Sequence, residues 1–106
     1  MQAGCSRLIV ASLAVCAMAV PARAATVHIL MENLEIQPTE VAAKVGDTIE
    51  WSNKDIVAHT ATARNGDFDV MIPAKKPATL VLNKAGTFEY YCRFHPMMKA
   101  TLKVAP

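Results

Sequence analysis

Phe88-Glu89-Tyr90-Tyr91-Cys92-Arg93-Phe94-His95-Pro96-Met97-Met98 begins as a strand and ends as a loop. Successive side chains in a strand point to opposite faces, so Phe88, Tyr90 and Cys92 share one face of the first half. Pro96 has no amide hydrogen to donate to a ladder, so the strand must stop before it and the chain must turn. The turning half carries a thiolate, an imidazole and a thioether at steps of three, Cys92, His95 and Met98. A short loop aims such a set at one point.

The same period of two extends to both sides. Upstream, Val27, Ile29 and Met31, then Val41, Ala43 and Val45, then Ile49 and Trp51 each line one inward face, and Leu80 with Leu82 and Ala100, Leu102 and Val104 continue the pattern. Turn residues separate the sets at Gly46-Asp47, Asn65-Gly66 and Ala85-Gly86. Seven or eight short strands and no stretch of helical period predict an all-β sandwich or barrel. Residues 63–77 hold Gly66, Pro73 and Pro77 without clean alternation, and read as a long irregular connection between sheets. Repeats and low-complexity segments are absent.

The first two dozen residues have another character. Arg7 precedes the apolar run Leu8 to Val20, followed by Pro21 and the small-residue pattern Ala22-Arg23-Ala24. That order is the one of a secretory signal peptide cleaved after Ala24, which makes residues 1–24 a leader, residues 25–106 the mature domain, and the periplasm its destination. The apolar run is shorter than the about 17 residues a spanning helix needs, so no membrane insertion is expected after cleavage. Val15 stands before Cys16 where a lipid-anchored cysteine would follow a small residue, which argues against such an anchor.

Composition sets further bounds. The chain has 106 residues, 53% hydrophobic and 19% charged, which suits one globular domain. Losing Arg7 and Arg23 with the leader brings 11 basic residues down to the number of acidic ones, 9, and a neutral domain implies no nucleic-acid partner. Cys5 and Cys16 leave too, so the mature domain keeps Cys92 alone and has no internal disulfide. A lone thiol in an oxidising compartment cross-links or oxidises unless it is buried or holds a metal. A bound metal would also staple a domain of marginal size.

His59, within Val57-Ala58-His59-Thr60-Ala61, supplies a second imidazole 33 residues before Cys92. Two imidazole nitrogens, one thiolate and a weak thioether are the donor set of blue-copper electron-transfer sites, since soft sulfur favours Cu(I) and imidazole suits both oxidation states. Met97 competes with Met98 for the thioether place. Met31 and Met71 read as fillers of an apolar core or rim, and His28, on the outward phase, has no assigned role. A reading of Cys92 as nucleophile with His95 or His59 as base finds no Asp, Asn or Glu at a recognisable position to orient the imidazole. Zinc is disfavoured by the thioether. A periplasmic carrier that delivers or buffers copper is the alternative to electron transfer; a single buried-type thiolate with two histidines suits retention, whereas delivery favours exposed methionines or paired cysteines.

His59, Tyr90-Tyr91-Cys92, the spacing Cys92-x-x-His95-Pro96-x-Met98 and the stretch Val45-Gly46-Asp47-Thr48-Ile49-Glu50-Trp51 together resemble the cupredoxins, most closely the amicyanin group with its very short ligand loop. The resemblance implies a Greek-key β-sandwich with one type 1 copper ion at one end, held by His59, Cys92, His95 and Met98. It also implies a monomeric electron carrier that is not an enzyme, and a redox partner such as a c-type cytochrome or a periplasmic dehydrogenase. Two residues depart from the pattern: Thr60 stands where many cupredoxins have Asn, and Phe94 where amicyanins have Pro. The mature chain is also too short to include the additional N-terminal segment of amicyanins. Phe94 keeps a backbone N–H that the loop is expected to fold toward the Cys92 sulfur, where a donor would tune the metal.

Overall fold

The computed structural model describes residues 23–106, and the leader reading for residues 1–22 lies outside the described residues. Nine strands follow in order: β1 (Thr26–Glu32), β2 (Glu35–Gln37), β3 (Glu40–Lys44), β4 (Thr48–Asn53), β5 (His59–Ala63), β6 (Asp69–Ile72), β7 (Pro77–Val81), β8 (Gly86–Tyr91) and β9 (Lys99–Ala105). Among the described residues there is no helix. One sheet has the order β2-β1-β4-β7 and the other β3-β9-β8-β5-β6. The pairs β1/β4 and β3/β9 are parallel and the remaining pairs antiparallel. The result is a sandwich of two mixed sheets: all-β as the alternation predicts, the Greek-key sandwich that the resemblance implies, and with nine strands in place of seven or eight.

Register follows the apolar alternation. Val27 faces Ile49 and Ile29 faces Trp51 across the parallel pair, and Phe88 faces Leu102 across the antiparallel one. A one-residue slip would turn each of these sets to solvent, which fixes the pairing. Ile29, Met31, Ile49 and Trp51 from the first sheet meet Ile72, Phe88, Tyr90 and Leu102 from the second in one buried core. Trp51 Nε1 donates to Tyr90 Oη at 3.2 Å, and the two rings stand edge to face with centroids 5.8 Å apart. Burial pushes the Tyr90 phenol up to about 12, with the Trp51 hydrogen bond opposing. Truncating a buried Trp to Ala costs about 3–5 kcal/mol, so this pair is a main tie between the sheets.

The structure departs from the sequence reading in three places. Residues 63–77 are not one irregular connection, because β6 lies inside them as an edge strand on β5, and only Pro73–Lys76 crosses between sheets. Only Ile72 of the four β6 residues is buried, too little to write an alternation. The short β2 also went unseen: Asn33 and Leu34 both take left-handed φ, 57° and 61°, and Leu34 is no turn-type residue. Val45, expected inward, is 43% exposed because it lies beyond β3 in the turn made by Gly46, φ 99°.

The fold brings two connections to one end, residues 54–58 between β4 and β5 and residues 92–98 between β8 and β9. Cys92 N donates to Met98 O at 2.9 Å, extending the β8/β9 ladder one rung beyond Tyr91 and Lys99. Inside the loop, His95 N donates to Cys92 O at 3.3 Å and Met98 N to His95 O at 2.8 Å. Seven residues are thus closed into two successive turns.

Candidate metal centre

Cys92 keeps the inward phase of β8 and has no exposed surface; His59, the first residue of β5, has none either. β5 and β8 are antiparallel neighbours, so the two side chains enter the same space from adjacent strands. Cys92 Sγ is 3.8 Å from His59 Nδ1 and 3.7 Å from His95 Nδ1, and the three donor atoms all lie within 4.8 Å of one another. The imidazoles meet edge to face, centroids 5.2 Å apart, and His95 alone of the three is partly open to solvent. Of the two competing thioethers, Met97 is 92% exposed and Met98 only 2%.

Such separations are what one ion makes when it holds imidazole nitrogen and thiolate sulfur at about 2.0–2.3 Å. The residues therefore fit a single metal ion. The donor chemistry suits copper: soft sulfur with imidazole serves Cu(I) and Cu(II) alike.

The groups behind the clustered donors were not read from the sequence. Asp55 Oδ2 lies 2.8 Å from His59 Nε2, and its carboxylate also accepts the amides of Asn33 at 2.8 Å and Leu34 at 3.1 Å. Burial works against ionisation of Asp55, but the His59 hydrogen bond and the Leu34 and Asn33 amides outweigh it and hold its carboxyl below the usual range. An ionised carboxylate only accepts, so Nε2 carries the ring hydrogen and Nδ1 presents its lone pair to Cys92. Asn53, 1% exposed, shapes the connection: its Oδ1 accepts the Asp55 amide at 2.8 Å and its Nδ2 donates to Val57 O at 2.9 Å and Ile72 O at 3.1 Å.

Thr60 has two contacts with the ligand loop. Its amide donates to Cys92 Sγ at 3.4 Å, and its Oγ1 accepts the Arg93 amide at 2.8 Å. The amide bonded to the sulfur is therefore that of Thr60 and not, as expected, that of Phe94. The strap continues outward: Thr60 Oγ1 pairs with Thr62 Oγ1 at 2.9 Å, Thr62 Oγ1 donates to Asp69 Oδ1 at 2.7 Å, and Arg93 Nε donates to the same oxygen at 3.1 Å. In sequence these are a threonine in an ordinary strand and an aspartate four residues before a histidine, neither of which signals a role.

Asp55 corrects the expectation that no carboxylate orients an imidazole, and Cys92, His59 and Asp55 do stand in the order of a thiol, a base and an orienter. Burial separates the two chemistries. A nucleophilic sulfur must reach a substrate atom, and Cys92 and His59 both have zero exposure.

A family model described as the cupredoxin-like domain matches residues 6–104. The chain belongs to the cupredoxin-like family. Among curated proteins, this cupredoxin is 29% identical over 96 residues to amicyanin from Paracoccus versutus, covering 85% of this chain and 71% of the relative. The crystal structure of Paracoccus versutus amicyanin superposes with a TM-score of 0.65 at 28% identity, over 80% of this chain and 84% of the other. An amicyanin variant with glycine in place of one proline, in its reduced Cu(I) form at pH 4, superposes with a TM-score of 0.64 at 25% identity, over 80% and 85% of the two chains. The cupredoxin is thus amicyanin-like in sequence and in fold, and its His-Cys-His cluster lies at one end of the sandwich.

Proposed function

We propose that the chain is a periplasmic electron-transfer protein that holds one type 1 copper ion through His59, Cys92, His95 and Met98 and cycles it between Cu(I) and Cu(II). The observation that carries this reading is the cluster itself: three soft or borderline donors within 4.8 Å of one another, two of them without exposed surface. When bound, copper supplies the one-electron step. The chain holds the donors still. Asp55 fixes the His59 ring, Thr60 anchors both the sulfur and the loop, and the paired Cys92 N and Met98 O close the loop behind them. Ligands that do not move between oxidation states keep the cost of each transfer low.

The likeness to amicyanin supports copper as the ion, and the burial of Cys92 favours a carrier of electrons over an enzyme. His95 is the exit for the electron, being the cluster member with solvent access. Around it the segments that frame the cluster expose apolar side chains, Phe94 at 49%, Met97 at 92%, Met71 at 48% and Ile56 at 83%. Such a patch suits a small, transient contact with a c-type cytochrome or a periplasmic dehydrogenase. Residues 1–24 serve as the cleaved leader, residues 25–106 as a monomeric mature domain. No described helix is long and apolar enough to cross a membrane.

Delivery or buffering of copper is the competing reading, and burial of Cys92 and His59 supports retention instead. Repeated reduction and oxidation in the presence of a copper chelator tests the choice. Electron transfer predicts a reversible one-electron wave with full retention of copper; loss of metal to the chelator at each reduction would support delivery.

A further inference from the structure

Ala25 is clamped on both sides of its α-carbon. Its nitrogen donates to Asp47 Oδ1 at 2.9 Å, and its carbonyl accepts the Thr48 amide at 2.9 Å. The other Asp47 oxygen, Oδ2, accepts the Lys44 amide at 2.9 Å. Asp47 is 4% exposed, at the end of β4 remote from the metal cluster, and among the described residues it makes no side-chain ion pair. Among the described residues the buried carboxylate thus rests on two backbone amides, one of them on the exposed residue just before β1.

We propose that removal of the leader turns the Ala25 amide into an α-ammonium paired with the Asp47 carboxylate, so that processing itself locks β1 onto the turn between β3 and β4. The proposal rests on the reading of residues 1–24 as a leader cleaved after Ala24. Hydrolysis breaks the bond between the Ala24 carbonyl carbon and the Ala25 nitrogen; water supplies the oxygen that leaves Ala24 as a carboxylate and the hydrogens that leave Ala25 as –NH3+.

Charge and geometry favour the pair. An α-amino group titrates near 7.7–8.0, so it is mostly cationic at about pH 7. The bond to Asp47 already has an ionised acceptor, and an ammonium donor adds a Coulombic attraction that a neutral amide lacks. Asp47 is already held below the ordinary carboxylate range, by the Ala25 amide first and the Lys44 amide second, against its burial. Because Ala25 is exposed, the two remaining hydrogens of its ammonium stay in water, and little desolvation opposes the pair. Arg23 and Ala24 line the cleft beside Asp47 together with Lys44, Val45, Gly46 and Pro106. Cleavage takes one cation, Arg23, out of this cleft and sets another on the carboxylate. A start one residue earlier would leave Ala25 a neutral amide, and a start one residue later would remove its nitrogen.

Three copper-loaded chains test the pair: one starting at Ala25, one starting at Ala24, and the Ala25 chain acetylated at its N-terminus, which keeps the N–H and removes the charge. Each is also made with Asp47→Asn, and thermal midpoints are compared at neutral pH and low salt. The free Ala25 chain is expected to melt about 4 °C above the other two. That gap should close in Asp47→Asn, while the copper spectrum stays the same throughout. Equal midpoints with Asp47 intact would overturn the pair, as would a gap that persists in Asp47→Asn. The acetylation comparison holds even if Asp47→Asn folds poorly. The mass of the protein exported from the full chain separates the two readings: a mature start other than Ala25 overturns the leader assignment, whereas a start at Ala25 with equal midpoints overturns the ion pair alone.

Discussion

Asp55 Oδ2 stands 2.8 Å from His59 Nε2, and the opposite ring nitrogen, Nδ1, stands 3.8 Å from Cys92 Sγ. One carboxylate therefore sets both the tautomer and the orientation of an imidazole that is placed to hold a metal and has no exposed surface. The same carboxylate accepts the Asn33 and Leu34 amides, so the turn between β1 and β2 and the metal cluster share an anchor.

Asp55→Asn should weaken copper binding by about 10- to 100-fold, the usual effect of losing a group that orients a metal-bound histidine. The lost negative charge favoured Cu(II) over Cu(I), so the reduction potential should rise, by about 59 mV for each tenfold difference between the two affinities. Competitive copper titration and voltammetry check both. An unchanged affinity would show that His59 needs no carboxylate to hold its place.

Met98→Ala should alter the copper spectrum and Met97→Ala should not, since Met98 is 2% and Met97 92% exposed. The opposite order would show that the loop register around the metal is wrong. Met97→Lys should slow reduction by a redox partner with no change in the spectrum, because a charge in an apolar contact disfavours docking. An unchanged rate would remove this patch as the contact face.

Asp47 makes a prediction about acid stability. Its hydrogen bonds to the Ala25 and Lys44 amides hold its folded pKa below that of the unfolded chain. The contribution is therefore complete above the ordinary carboxylate value of about 3.9 and is lost as pH falls through the lower folded value. Urea midpoints followed downward from neutral pH should fall less steeply in Asp47→Asn than in the parent, with the two curves converging in acid. Parallel curves would show that Asp47 titrates alike in both states.

Thr60→Val keeps the shape of the side chain and removes the acceptor of the Arg93 amide. The hydrogen bond is part-buried, so its loss should cost about 0.5–1.5 kcal/mol of unfolding free energy. Urea unfolding of the copper-loaded protein measures it. No measurable loss would mean that Arg93 finds another acceptor and that the strap does not hold the loop.

Much of the site was legible because its chemistry is local in sequence. Cys92 and His95 share one loop, Pro96 announces the turn that brings their donor atoms together, and Met98, at the same step of three, closes that loop as a buried residue. Ile49 with Trp51, Phe88 with Tyr90 and Leu102 with Val104 likewise write their own alternation, and all six are buried as read. What escaped is what depends on contacts between distant segments. Asp55 works only because the turn at Asn33 and Leu34 lies across from it, and Thr60 meets Cys92 only through the pairing of β5 with β8. Phe94, credited with the bond to the sulfur, has its ring 49% exposed while the Thr60 amide occupies that role. β2 and β6 each bury a single residue, Ile36 and Ile72, and one inward residue makes no period.

The proposed function turns on the Cys92 sulfur holding copper in a blue-copper site with His59, His95 and Met98. A visible absorption spectrum of the copper-loaded mature chain, beside that of Cys92→Ser, tests it most directly. Thiolate bound to Cu(II) should give one intense charge-transfer band that colours the protein blue, bleached on reduction, at one copper per chain, and absent in Cys92→Ser. A fully loaded but colourless protein, or a Cys92→Ser variant that remains blue, would contradict the assignment.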